Sequence, residues 1–338
     1  MSPTEESSGR YVSTGHLPPD ERVQALVEEC HREWAGLDDG VVSDVYPALA
    51  EADPSLFGIA VVGVDGHVFH AGDVEVPFSV MSVAKPFVFA LTCARHGIDA
   101  VVDRVGVNAT GAAFDSVAAV ERSGDGRTNP MVNSGAIACT ALLADGAGSA
   151  DEAWRVLREG LSDFAGRDLS LDERVLASAT ASNLRNRAIA QLLHAGGHLS
   201  DPALAVDLYT RQSSLSVTAL DLAVMGATLA DGGVNPVTGR HVVDPEVAAR
   251  TLAVMTTAGM YETSGEWLVR VGLPGKSGIA GGVVTAAPGK GALGTFSPRL
   301  DAAGNSVRGI RTAERLSRGL GFDLFRSPVV GPGTPRRE

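Results

Sequence analysis

Lysine is scarce in this chain. Among its 28 basic residues only Lys85, Lys276 and Lys290 are lysine, and arginine supplies every other fixed positive charge. Arginine keeps its proton in any protein environment, whereas a buried lysine can be tuned to lose it. Positive charge is itself in deficit: the formal net charge of -12 argues against nucleic acid and anionic membrane surfaces, both of which require a basic face. No apolar run approaches the roughly 18 residues of a membrane span. The first ten residues, MSPTEESSGR, lack the basic and apolar regions of a secretory signal. Cys30, Cys93 and Cys139 are few, odd in number and far apart, as expected of buried free thiols in a reducing cytoplasm. Metal ligation lacks a pattern too. His194 and His198 are interrupted by Gly196 and Gly197, and His67 and His70, three apart in a strand, point to opposite faces. The expectation is a soluble cytoplasmic protein with no metal.

What is present reads as one domain of mixed structure. The chain predicts a loose arm over residues 1–18, a single domain over 19–325 and a Pro/Gly-rich tail over 326–338. RVQALVEECHREWAGL has helical periodicity, and LFGIAVVGVDGHVFHAGD predicts two strands turning at Asp65-Gly66. An almost wholly apolar helix follows from Ser82 to Arg95, stopped by Gly97. Residues 100–260 are mainly helical in pattern. From WLVRVGLPGKSGIAGG onward, glycine, valine and turn signals predict strands, and SVRGIRTAERLSRGLG closes the chain as a helix. Strands at both ends imply an α+β fold, with an antiparallel sheet part over about 19–78 and 266–325 and a helical part over about 79–265. A cleft between the two parts is the natural place for a site.

Two nucleotide-binding motifs fail on inspection. GLPGKSG has Arg270 where a phosphate loop needs its first glycine, and GKGALG is followed by TFSPRL rather than a helix. Ser82-Val83-Ala84-Lys85 carries clearer chemistry. Serine and lysine at i and i+3 share a helix face, and a neutral amine can take the proton of a hydroxyl nucleophile. Pro86 requires that the helix has barely begun, so backbone N–H groups near Ser82 are available to a developing oxyanion. Taken alone, the same four residues are equally a capping serine with an exposed lysine. RTNPMVNSGAIA is, alone, a turn and an N-cap around Asn133. KSGIAGG is, alone, a strand entering a turn; in a site, Lys276 would depress the pKa of Lys85 by like-charge repulsion.

Together the three motifs resemble, in order, the serine β-lactamase and penicillin-binding fold. More closely, NPMVNSGAI, RNRAIA, DLYTRQSSLSVTALDLAVMGATLADGGVNPVTG, TTAGMYE and VGLPGKSGIAGG resemble the serine-dependent glutaminase family, from about residue 20 to 320. The resemblance implies a serine β-lactamase/DD-peptidase-like fold. It also implies hydrolysis of L-glutamine to L-glutamate and ammonia without metal or organic cofactor, and a homo-oligomer, dimer or tetramer. In the implied assignment Ser82 is the nucleophile, Lys85 its base and Tyr261 a proton-transfer partner. Asn133, Asn186, Tyr209, Tyr261 and Ile279 contact substrate, the last through its backbone, and Lys276 and Ser277 support the site.

Several positions depart from the family pattern. A glutamate that holds the substrate's α-amino group is replaced by Ala179, a glutamine before the nucleophile by Met81, a tyrosine by Val45 with Tyr46 next to it, and a cysteine by Ser213. The groups for chemistry are kept, while groups that recognise a zwitterion are lost. A glutaminase that holds the ammonium group differently, an amidohydrolase for an amide lacking a free α-amine, and a catalytically silent relative all fit that pattern. A β-lactamase or peptidoglycan peptidase would need an export signal and fits the glutaminase-like stretches poorly.

Overall fold

The computed structural model describes residues 15–124 and 126–326. Most of the arm expected over 1–18 and of the tail expected over 326–338 therefore lies outside the described residues, although Leu17 packs against one of the cores.

The strand β2 (Gly58–Gly63) is buried along its whole length, unlike a strand with one wet face. Ile59 and Val61 enter one core, and Ala60 and Val62 enter the other, because successive side chains of a strand alternate faces. β2 pairs with β3 (Val68–Gly72) and with β8 (Gly291–Phe296); β8 pairs with β7 (Gly282–Ala287) and β7 with β6 (Gly275–Ser277). All pairings are antiparallel, with Ile59 opposite Thr295 and Lys276 opposite Val284. The five-stranded sheet thus takes two strands from the start of the chain and three from its end. Two-residue strands pair outside it: β1 (Val41–Val42) with β9 (Arg299–Leu300), and β4 (Phe78–Ser79) with β5 (Ser216–Val217).

One face of the sheet is covered by α1 (Asp20–Trp34), α12 (Ser264–Val271) and α13 (Val307–Gly319), through Val23, Leu26, Trp267 and Leu316. The other face carries α10 (Ala219–Ala230), apolar on nearly every side and almost entirely buried. It lies very close: a Cβ at Gly294 would stand 2.2 Å from the Ala219 carbonyl oxygen, so only glycine permits this approach. Outside α10 stand α2 (Ala84–His96), α3 (Ile98–Val105), α4 (Val117–Arg122), α5 (Asn133–Ala144), α6 (Ala150–Ala165), α7 (Glu173–Ser182), α8 (Leu184–Ala195), α9 (Pro202–Ser213) and α11 (Pro245–Ala258). The architecture is the α+β arrangement expected from the sequence. No helix among the described residues is long and apolar enough to cross a membrane.

The structure corrects two element assignments. WLVRV is helical, part of α12, rather than strand. Trp267 and Val271, four apart, are buried, while Val269 between them is 88% exposed. A strand would have put all three on one face. The expected Ser82–Arg95 helix instead begins as a single 3-10 turn over Met81–Val83 and becomes α2 at Ala84, ending at His96.

Candidate active site

The two lysines within motifs are both fully enclosed, Lys85 at 1% and Lys276 at 0% exposure, whereas Lys290 sits at the surface and donates to the Gly321 carbonyl. Lys85, in the first turn of α2, reaches back along the helix toward its N-terminus, as long helical side chains do. Its Nζ donates to Ser82 Oγ at 2.6 Å and to Asn133 Oδ1 at 2.8 Å. The reading of Ser82 as a mere cap with an exposed lysine is therefore excluded: the N-cap of α2 is Val83, and no side chain caps it. Asn133 opens α5 from its first turn, and Val132 occupies the N-cap. Its Oδ1 also accepts from the Tyr209 hydroxyl at 3.0 Å, and its Nδ2 donates to Asn186 Oδ1 at 2.8 Å. One buried polar chain so joins the starts of α2, α5 and α8 to α9.

The opposite side comes from the sheet part. Gly278, just past β6, presses against the turn that carries Ser82; a Cβ there would sit 3.0 Å from the Val80 carbonyl oxygen and 3.3 Å from Met81 Cβ. Ile279 follows it and lines the same cavity as Ser82. Tyr261 donates to the Ser277 carbonyl at 3.1 Å and interacts with the Ser82 hydroxyl. Lys276 donates to that same carbonyl at 2.8 Å, with its Nζ 3.9 Å from the centre of the Tyr261 ring. Ser277 turns its own hydroxyl away, to Asn305 Oδ1 at 2.5 Å. Lys276 and Ser277 thus stand behind Ile279, which lines the cavity, and Tyr261, which reaches the Ser82 hydroxyl without being one of the lining residues.

Among the described residues, Met81 (φ 48°) and Tyr261 (φ 56°) are the non-glycine positions in the left-handed region. One immediately precedes Ser82 and the other faces it. Such strain costs on the order of 1–3 kcal/mol per residue and is retained where surrounding structure enforces it, commonly at active sites.

Burial sets the protonation states. It brings Lys85 from its ordinary 10.5 down to about 7, against an opposing pull from the Asp115 carboxylate. Burial, and then the charge of Lys85, holds Lys276 well below the usual lysine range. Both buried amines are thus held below the ordinary lysine range, with burial as the main cause for each and the like charge of Lys85 as a further one for Lys276. Burial also pushes the Tyr261 phenol up to about 12 and Tyr209 well above its ordinary value.

The cavity above Ser82 measures about 130 Å3, below the roughly 300–1,000 Å3 of sites for drug-sized ligands. It suits one small molecule. Ser82, Asn133, Asn186, Tyr209 and Ile279 line it together with Met81 and Ala179. Val45 and Tyr46 both reach it, as does Ser213. Two charged lining residues carry no signal in the sequence: Asp115, from the loop before α4, and Arg185, beside Asn186 in RNRAIA.

Comparison with known proteins agrees with this geometry. The Glutaminase family matches residues 40–325. "Glutaminase 2" of Yersinia pestis is 57% identical over 327 residues, covering 96% of both chains. "Glutaminase 2" of Bradyrhizobium diazoefficiens is 49% identical over 94% of this chain, which spans 50% of that longer protein. The solved structure of Mglu in its glutamate form superposes with a TM-score of 0.86 at 38% identity, over 91% of this chain and 71% of that one. With a family match across most of its length and a buried Ser82–Lys85 pair at the site, the chain belongs to the glutaminase family.

Proposed function

We propose that the protein hydrolyses L-glutamine to L-glutamate and ammonia through an acyl-enzyme on Ser82. The observation that carries the reading is the 2.6 Å contact between Ser82 Oγ and a lysine amine at 1% exposure. When Lys85 is neutral, the same contact lets the hydroxyl donate to the amine, and Oγ attacks the side-chain carboxamide carbon. The backbone N–H groups of Ser82 and Ile279 are the oxyanion donors in this reading. As the tetrahedral intermediate collapses, the carbon–nitrogen bond breaks. The departing nitrogen takes the proton held on Lys85, with the Tyr261 phenol as relay. Water then attacks the ester, gives its proton to Lys85, and glutamate leaves as Ser82 regains its hydrogen. Asn133, Asn186 and Tyr209 hold the substrate and keep Lys85 aimed. The mechanism asks for no metal or organic cofactor. Lys276 and Ser277 act by supporting Tyr261 and the turn at Ile279. We read the protein further as a cytoplasmic homo-oligomer, a dimer or tetramer. Ammonia release from glutamine and asparagine by the purified protein tests the reaction. Saturable release from glutamine is the expected result; no release at any concentration overturns it.

The pH profile follows from Lys85. Its catalytic form is neutral, so kcat/KM for glutamine should climb about tenfold per pH unit below about 7 and level off above it. The Tyr261 phenol keeps its proton until about 12, so no fall is expected near neutrality. A rate independent of pH between about 5 and 8 would remove Lys85 as the base.

Ala179 favours a second reading. It is buried on the cavity wall where the family places the carboxylate for the α-amine. An amidohydrolase for amides without a free α-amine would prefer 4-carbamoylbutanoate, which is glutamine without that group. Faster turnover of that compound than of glutamine would establish this alternative.

A further inference from the structure

We propose that Asp115 and Arg185 form the head-group clamp of this site, with Asp115 taking the substrate's α-ammonium and Arg185 its α-carboxylate. The inference rests on the glutaminase reading and supplies the recognition that Ala179 leaves missing.

The charged side chains lining the cavity, among the described residues, are these two, one of each sign. They come from different elements: Asp115 precedes α4, and Arg185 lies in the first turn of α8, directly before Asn186. They meet through Arg185 Nη1 and Asp115 Oδ2 at 2.8 Å. The carboxylate is half-sheltered, with 26% of its side chain exposed, while the guanidinium is 64% exposed at the mouth. An α-amino acid presents an ammonium and a carboxylate on one carbon. A carboxylate and a guanidinium held side by side present the opposite dipole at the same spacing, so the head group can lie across the pair and bond to both members. Amides lacking either charge can satisfy only one.

The placement also suits the reacting end. Phe114, next to Asp115, accepts the Asn133 backbone N–H through its carbonyl at 2.8 Å, and its ring lies 4.9 Å from that of Tyr261. The segment carrying Asp115 is therefore tied to the groups around Ser82. The charge of Asp115 reaches Tyr46 and Tyr209, which line the same cavity, and Lys85 behind it. Asp115 stands close enough to be felt at the base, yet is not hydrogen-bonded to Lys85, Ser82 or Asn133 in the network described above. An ammonium held there extends the substrate's amide toward Ser82.

The test compares three substrates at a pH where Lys85 is neutral: L-glutamine, 4-carbamoylbutanoate, which lacks the ammonium, and 4-aminobutanamide, which lacks the carboxylate. Asp115→Asn should raise KM for glutamine about tenfold to a hundredfold, as expected for loss of a charge-assisted hydrogen bond. It should leave 4-carbamoylbutanoate unchanged, which a merely structural effect would not. Arg185→Gln should weaken glutamine and 4-carbamoylbutanoate alike and spare 4-aminobutanamide. Asp115→Asn combined with Ala179→Glu should recover much of the lost affinity, because it returns one carboxylate to the wall. An unchanged KM for glutamine in Asp115→Asn, or an equal loss on all three substrates, would overturn the clamp. Binding of L-glutamate and glutarate, measured by calorimetry, separates the clamp from the reaction. If wild type turned over nothing yet Asp115→Asn still erased its preference for glutamate over glutarate, the clamp would stand and the glutaminase reading would fall. If wild type hydrolysed glutamine and bound both acids equally, the clamp would fall and the reaction would stand.

Discussion

Ser82→Ala releases ammonia from glutamine at least a thousandfold more slowly than wild type, and as much as about a millionfold, the range seen when a serine nucleophile is removed from a hydrolase. The loss falls on kcat, because the carboxamide has no covalent route without Oγ. Binding of L-glutamate should persist, since Asn133, Asn186 and Tyr209 remain. The fold should persist too. Truncating Ser82 removes its contacts to Lys85 and Tyr261, yet Lys85 keeps its bond to Asn133 Oδ1 at 2.8 Å and Tyr261 its bond to the Ser277 carbonyl. The experiment is single-turnover and steady-state ammonia release with a mass measurement during turnover, in which wild type alone gains a glutamyl group on Ser82. A variant within tenfold of the wild-type rate would mean that water attacks the amide directly, and that Ser82 only positions it.

The strength of that expectation comes from how differently residues in this site announce themselves. Ser82 and Lys85 are three apart in sequence, so local geometry already pairs them, and the scarcity of lysine drew attention to the amine. The strand GIAVVG, buried on both faces, was legible as a strand from its β-branched run. WLVRV was not, because the same valine-rich composition serves a short helix whose exposed face happens to carry Val269. Asp115 was illegible for a different reason. It is one acid among 40 Asp and Glu, with no motif around it, and acquires meaning only when folding places it 70 residues from its partner Arg185 in sequence and 2.8 Å from it in space. The left-handed backbone at Met81 is equally silent, since nothing about methionine marks it. Burial is the third thing a linear reading misses. It lowers the pKa of both Lys85 and Lys276, a shift that nothing in their sequence context marks.

Lys85 supplies the second large effect, and it separates charge from basicity. Lys85→Arg keeps a cation beside Ser82 but cannot offer a neutral amine, because guanidinium holds its proton above pH 12. Lys85→Met keeps approximate length and offers neither. Both should lose roughly 100- to 10,000-fold or more in kcat, the contribution of a positioned general base. Substantial activity in Lys85→Arg would show that a fixed charge is enough and that the proton goes elsewhere. Because the larger guanidinium must carry its charge where Lys85 is only 1% exposed, it is expected to destabilise the fold, and Lys85→Met keeps the test decisive. Stability gives an independent check on the same amine. Folding lowers the lysine from 10.5 to about 7, so between those values the unfolded chain binds a proton that the native state does not. That penalty on folding is absent above about pH 10.5 and grows as pH falls. Below about 7, where both states are protonated, it is fully present at on the order of 5 kcal/mol. Methionine carries no such penalty, though it gives up the bonds to Ser82 and Asn133. The difference in unfolding free energy between Lys85→Met and wild type should therefore shift steadily in favour of the variant as pH is lowered from about 10 to about 7, and then stop changing. A difference that is flat across that window would mean that Lys85 stays charged in the native enzyme, and the same measurement would then remove it as the base for Ser82.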